Sequence, residues 1–108
     1  MIKIKALTVN KAHRTYNGRI LKSREFHAYE QELFYLLPKL EVPDCKLILN
    51  VRFGLSSKLS DLDNLAKPFI DILQKKYNFN DRMIYKLTLV KEDVKKGEEY
   101  IDFDISSY

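Results

Sequence analysis

Residues 46–53 alternate, apart from Ile48. Leu47, Leu49, Val51 and Phe53 share one face of an extended segment, and Lys46, Asn50 and Arg52 take the other. A strand apolar on one face only belongs to a sheet covered on one side. The chain supplies two helical stripes to cover it. Ser23 is a natural N-cap for a helix running to about Leu37, with Phe26, Tyr29, Leu33, Leu36 and Leu37 at three- and four-residue spacing and Pro38 ending it. Beyond a Ser/Lys loop over residues 54–60, Leu62, Leu65, Phe69 and Leu73 form the inner stripe of a second helix. Pro68 interrupts that stripe, so the expectation is either a kink there or a helix whose regular part starts only a few residues earlier, with irregular backbone and free donors around residues 61–64 in both cases.

The rest of the chain reads as strands and turns. Residues 2–9 are expected as a first strand, and residues 10–22 as a loop or hairpin tip around Tyr16-Asn17-Gly18. Asn78 and Asn80 mark the exit from the second helix. Residues 84–91 form a strand, 95–98 a turn, and 99–106 a last strand in which Ile101, Phe103 and Ile105 alternate with Asp102 and Asp104. The order β–α–β–α–β–β predicts an α+β fold: a mixed or antiparallel sheet with two helices packed on it. With 108 residues, three Gly and three Pro, the whole chain, 1–108, is expected to be a single small domain.

Several classes are excluded. No run approaches the ~18–20 apolar residues of a membrane span. The alternating start, Met1-Ile2-Lys3-Ile4-Lys5, is no signal-peptide block, so a cytoplasmic protein with no membrane partner is expected. Cys45 stands alone and excludes both an intrachain disulfide and a thiolate zinc cage; in its strand-like run it is expected to be buried. There is no P-loop, no G-x-S-x-G and no H-E-x-x-H. An EF-hand loop counted from Asp61 would put Ala66 and Ile72 where Gly and Glu are required.

Charge is unevenly distributed. The net charge is +4, but residues 1–27 carry seven cations (Lys3, Lys5, Lys11, Arg14, Arg19, Lys22, Arg24) against Glu25, giving +6 and leaving −2 for the remainder. A basic N-terminal third beside an acidic centre suits a polyanionic substrate, though a solvated basic face has the same composition. The acidic centre is Ser60-Asp61-Leu62-Asp63-Asn64-Leu65-Ala66-Lys67, followed by Asp71 and, past the helix, Asp81. Asp61, Asp63 and Asp81 are hard oxygen donors of the kind that hold magnesium, and Lys67 could meet a phosphate beside them. That combination points to metal-dependent cutting of nucleic acid. The plainer alternative makes Asp61 an N-cap, Asp63 a first-turn acid and Lys67 the ion-pair partner of Asp63, with Asp71 able to bridge to Lys67 and Asp81 a turn residue. His13 and His27 lie in basic surroundings and suit a surface position or a phosphate contact.

The run from Asp61 to Leu73, with Asn80-Asp81-Arg82-Met83-Ile84 beyond it, resembles the signature of RusA-type Holliday junction resolvases, small phage- and prophage-associated endonucleases. Val9-Asn10-Lys11-Ala12-His13-Arg14, then Gly18-Arg19 and a helix, is similar to that family's opening, and Lys91 fits its late lysine. The resemblance covers nearly the whole chain. It implies a homodimer in a bacterial or phage-infected cell that binds four-way DNA junctions and makes paired symmetric nicks. It further implies Mg2+, with Mn2+ able to substitute, and products with 5′-phosphate and 3′-hydroxyl ends. Carried over by position, Asp61, Asp63 and Asp81 are metal-binding catalytic acids, Lys67 is the essential basic residue, and Asp71 is a supporting acid. Lys11, His13, Arg14, Arg19, Lys22 and Lys67 are then the candidate DNA contacts. Ser60 stands where the family often has a basic residue, and Asn80-Asp81 where it often has two Asp. Competing readings are a less selective nuclease for branched DNA, a non-catalytic DNA-binding protein of the same fold, and a purely structural interaction protein.

Overall fold

The computed structural model describes the backbone over residues 1–108 and every side chain except those of Arg14 and Tyr16. Its elements are α1 (Val9–Ala12), β1 (His13–Tyr16), β2 (Arg19–Lys22), α2 (Arg24–Leu36), β3 (Leu47–Leu55), α3 (Leu62–Tyr77), a single 3-10 turn (Asp81–Met83), β4 (Ile84–Asp93) and β5 (Tyr100–Ser107). They build an α+β domain with a mixed three-stranded sheet in the order β4-β3-β5, helices on its apolar face, and a separate β1-β2 hairpin. β3 is the central strand, parallel to β4 and antiparallel to β5.

The alternation in β3 gives the expected result. Leu47, Leu49, Val51 and Phe53 are buried, while Arg52 is exposed on the opposite face. Register carries that face across the sheet, with Ile105, Phe103 and Ile101 of β5 beside Leu49, Val51 and Phe53. From α3, the Phe69 ring meets Phe53 edge-on at 6.1 Å and Phe103 at 5.6 Å, so one helix residue joins two strands. α2 contributes Phe26, Tyr29, Leu33 and Leu37 to the same core. Its start is set by Ser23, whose Oγ accepts from the Phe26 amide at 3.1 Å. On the outer face of β3, Gly54 lies under the Tyr100 ring, where a Cβ would overlap it.

Two expectations change. Residues 2–9 are not a full strand. Ile2 pairs with Ile101 in an isolated antiparallel bridge, and residues 9–12 turn into α1. The alternation at the start has a real cause, since Ile2 and Ile4 are buried, but they fill the core without a continuous ladder. Cys45 precedes β3 and is only partly buried, its Sγ 3.5 Å from Ser107 Oγ. α3 begins at Leu62, a few residues before Pro68 as the second alternative has it, and continues through Pro68, which is buried against the core. Packing there outweighs the missing amide, which removes the helical donor for the Asn64 carbonyl. The hairpin expected around Asn17-Gly18 forms: both residues have positive φ, 49° and 74°, as a two-residue turn of the primed type requires.

Candidate active site

The two acids of the motif stand at the start of α3. Asp61 is its N-cap residue, with extended backbone, yet its side chain makes no capping hydrogen bond. Asp63 lies in the first turn, where its Oδ1 accepts from the Asn64 amide at 3.0 Å. Both are exposed, and neither takes part in an ion pair among the described residues. A carboxylate at an N-cap ordinarily accepts from the amide two or three residues on. Asp61 is spared that role and stays free to hold something else. The positive end of the helix dipole makes this a suitable place for two negative charges.

Two lysines flank this pair. Lys67, one turn further along α3, donates to Asp71 Oδ1 at 3.1 Å rather than turning back to Asp63. Asp71 thus orients Lys67, as the plainer reading of that spacing allows. The second is Lys91, whose place in the sequence shows only that it comes late in the chain. It stands opposite Phe53 in the parallel β3-β4 register, on the core face of the sheet. From there its Nζ donates to the carbonyl oxygen of Ser60 at 3.2 Å, one residue before Asp61. Nothing in linear order signals this contact; it arises from the parallel pairing of two strands far apart in the chain.

Asp81 lies elsewhere. β3 ends at Leu55, α3 runs back along the sheet, and β4 starts again beside Leu47, parallel to β3. A parallel connection of this kind puts the two ends of its helix at opposite ends of the sheet. Asp61 and Asp63 therefore sit at the Leu55 end and Asp81 at the Leu47 end. The Asp81 amide donates to Gln74 Oε1 at 2.8 Å, and thirteen helical residues separate Gln74 from Asp61, roughly 20 Å at 1.5 Å per residue. Among the described residues, no three His, Cys, Asp or Glu side chains gather closely enough to hold a metal ion. Asp61 and Asp63 together still fit a hard divalent cation, because magnesium commonly takes only one or two carboxylates and keeps water on its other positions. The three-acid set does not assemble within one chain.

The basic residues divide between surface and packing roles. Lys11 and Arg19 are exposed. His13 stacks on Phe26 with ring centroids 6.3 Å apart, and Lys22 lies over the same ring at 4.9 Å, so both fasten the hairpin to α2. The Arg14 side chain lies outside the described residues. Ser23 locks the base of the hairpin: its amide donates to the Ala12 carbonyl at 2.8 Å and its hydroxyl to the Lys11 carbonyl. α1 in turn packs on α3, so the basic hairpin is carried by the helix that presents Asp61 and Asp63. No helix of the described residues is long and apolar enough to cross a membrane. Neither family models nor curated proteins contain a match to this chain.

Proposed function

We propose that this chain is a metal-dependent endodeoxyribonuclease of the RusA type, which cuts branched DNA, and four-way junctions in particular, as a homodimer. The observation that supports this most is the free carboxylate pair at the start of α3, Asp61 without its capping bond and Asp63 beside it, flanked by Lys67 and Lys91. On this reading Asp61 and Asp63 hold Mg2+ or Mn2+. The ion supplies a water of lowered pKa and positive charge for the phosphate in the transition state. Lys67 binds the scissile phosphate, held in place by Asp71. Lys91 fixes the Ser60 carbonyl and with it the approach of the chain to Asp61.

Asp81 lies past the far end of α3, out of reach of the pair in its own chain. On this reading it serves the pair of a second copy, and the site is complete only in a dimer. A junction with near two-fold symmetry and two nicks calls for the same two-fold arrangement. The exposed hairpin cations, Lys11 and Arg19, with Arg14, provide the salt-sensitive grip on the phosphate backbone.

A labelled synthetic four-way junction and a matched linear duplex, each with magnesium or EDTA, test the reading. Paired nicks in the junction alone, abolished by EDTA, are expected. Tight junction binding with no cut under either metal would make the chain a DNA-binding protein of this fold, and equal cutting of both substrates a less selective nuclease.

A further inference from the structure

We infer that the outer face of the sheet carries a stacking platform for unpaired DNA bases, built from Tyr85, Tyr108 and Lys46 at the end that also carries Asp81. The helices pack on the opposite, apolar side of the sheet. The platform begins with an irregularity in β4. Ile84 stands opposite Leu47 and Lys86 opposite Ile48, so Tyr85 is an extra residue in an otherwise continuous parallel register. Bulges of this kind are uncommon between parallel strands, and they re-aim a side chain. Here the side chain is a phenol. Lys46 Nζ lies over its ring at 4.8 Å, and its centroid is 5.8 Å from that of Tyr108. The Tyr108 amide, just past β5, donates to the Lys46 carbonyl at 2.8 Å. Two rings from either side of β3 thus meet around its Lys46. Tyr85 is 57% exposed and Tyr108 67%, and neither belongs to the core.

Charge selects the occupant. Lys46 and Lys86 share this face, are exposed, and take part in no ion pair among the described residues. The acids of the same face lie further along β3: Asp104 aligns with Asn50, Asp102 with Arg52 and Glu92 with Gly54, towards the Leu55 end. The tyrosine end therefore attracts a polyanion and the other end repels it. Exposed rings beside unpaired cations suit a single strand, because every base has a π face to stack and its phosphates meet the lysines. A duplex hides those faces within its own stack, so the platform tells unpaired bases from paired ones. Tyr85 follows Asp81 by four residues. On the nuclease reading, a base opened at a branch point is then held at the end of the sheet where the third acid stands.

The inference takes from that reading only the identity of the ligand as DNA, and its test needs no cutting. Fluorescence anisotropy in EDTA measures binding of the full chain to a labelled oligothymidylate and to a duplex of equal length. Tyr85→Ala and Tyr108→Ala are each expected to weaken single-strand binding about tenfold and duplex binding by less than about twofold. Tyr85→Phe keeps the ring and should stay within about twofold of the wild type on both. Lys46→Ala should lower the slope of log affinity against log salt for the single strand by about 0.7. Retained duplex binding shows that each variant is folded. A chain that does not bind the single strand, or alanine variants that leave its affinity unchanged or weaken both DNAs equally, overturns the proposal. Junction cutting by such a chain would leave the nuclease reading standing, and ring-dependent binding by a chain that cuts nothing would leave the platform standing without it.

Discussion

A single substitution separates the two roles open to Asp61, helix cap and proposed metal ligand. As a helix cap it would contribute ~1 kcal/mol, and its loss would show in a melt. The absence of a side-chain capping bond predicts otherwise. Asp61→Ala should change stability by less than about 0.5 kcal/mol in a denaturant titration. Asp61→Asn should lower junction cutting at least about a hundredfold while leaving junction binding intact. A large stability loss would return Asp61 to the plain capping role. Tyr29 tests the core in the same way. Its buried hydroxyl makes no hydrogen bond of good geometry, the Leu7 backbone giving it only a weak one, and burial pushes its pKa up. Ionising a buried phenol costs the fold, so stability is level below the unfolded pKa of about 10 and falls as pH rises beyond it. Tyr29→Phe should raise stability by about 1 kcal/mol at neutral pH and lessen the decline above about pH 10. An unfolding curve against pH for both proteins checks each half.

At the scale of elements, the helix boundaries and the central strand were legible because each has a local cause. Ser23 caps α2, the three- and four-residue spacing continues to Leu37, and alternation from Leu47 to Phe53 can bury only one face. The first segment misleads for a physical reason. Ile2 and Ile4 alternate with lysines, as a strand would, but the pattern records burial and not a hydrogen-bonded partner. The four residues of α1 are too few to show any period. The β1-β2 hairpin was legible from Asn17-Gly18, but its attachment was not: Ser23 closes it through backbone groups of Lys11 and Ala12. Ser23→Ala should therefore cost about 1–2 kcal/mol, and hydrogen exchange should quicken across residues 11–22 as well as at the start of α2. Exchange confined to α2 would detach Ser23 from the hairpin. Neutralising Lys11, Arg14 and Arg19 together should weaken junction binding and reduce the slope of log affinity against log salt by up to about three. An unchanged slope would remove the hairpin from the DNA interface.

Over the whole molecule, the chain order Asp61, Asp63, Asp81 conceals a separation that only topology reveals. A helix of sixteen residues between two parallel strands places the residues before it and those after it at opposite ends of the sheet. The acids were visible in the sequence; the end of the sheet each one occupies was not, because β3 and β4 pair through a register that no local pattern records. The same topology brings Lys91 to the mouth of α3 and leaves β4 as an open edge. Both features fit the proposed site shared between two copies. The most direct test mixes two inactive proteins. Asp61→Asn and Asp81→Asn are each expected to leave a four-way junction uncut in magnesium. If each site draws Asp61 and Asp63 from one copy and Asp81 from the other, a mixed dimer contains one intact site and one doubly broken site. The mixture should then regain single-strand nicking of the junction, at up to half the wild-type number of cuts per mixed dimer, or about a quarter averaged over a statistical 1:1 mixture. A mixture that stays inactive while the wild-type protein cuts would contradict the shared site, and a wild-type protein that does not cut would contradict the nuclease itself.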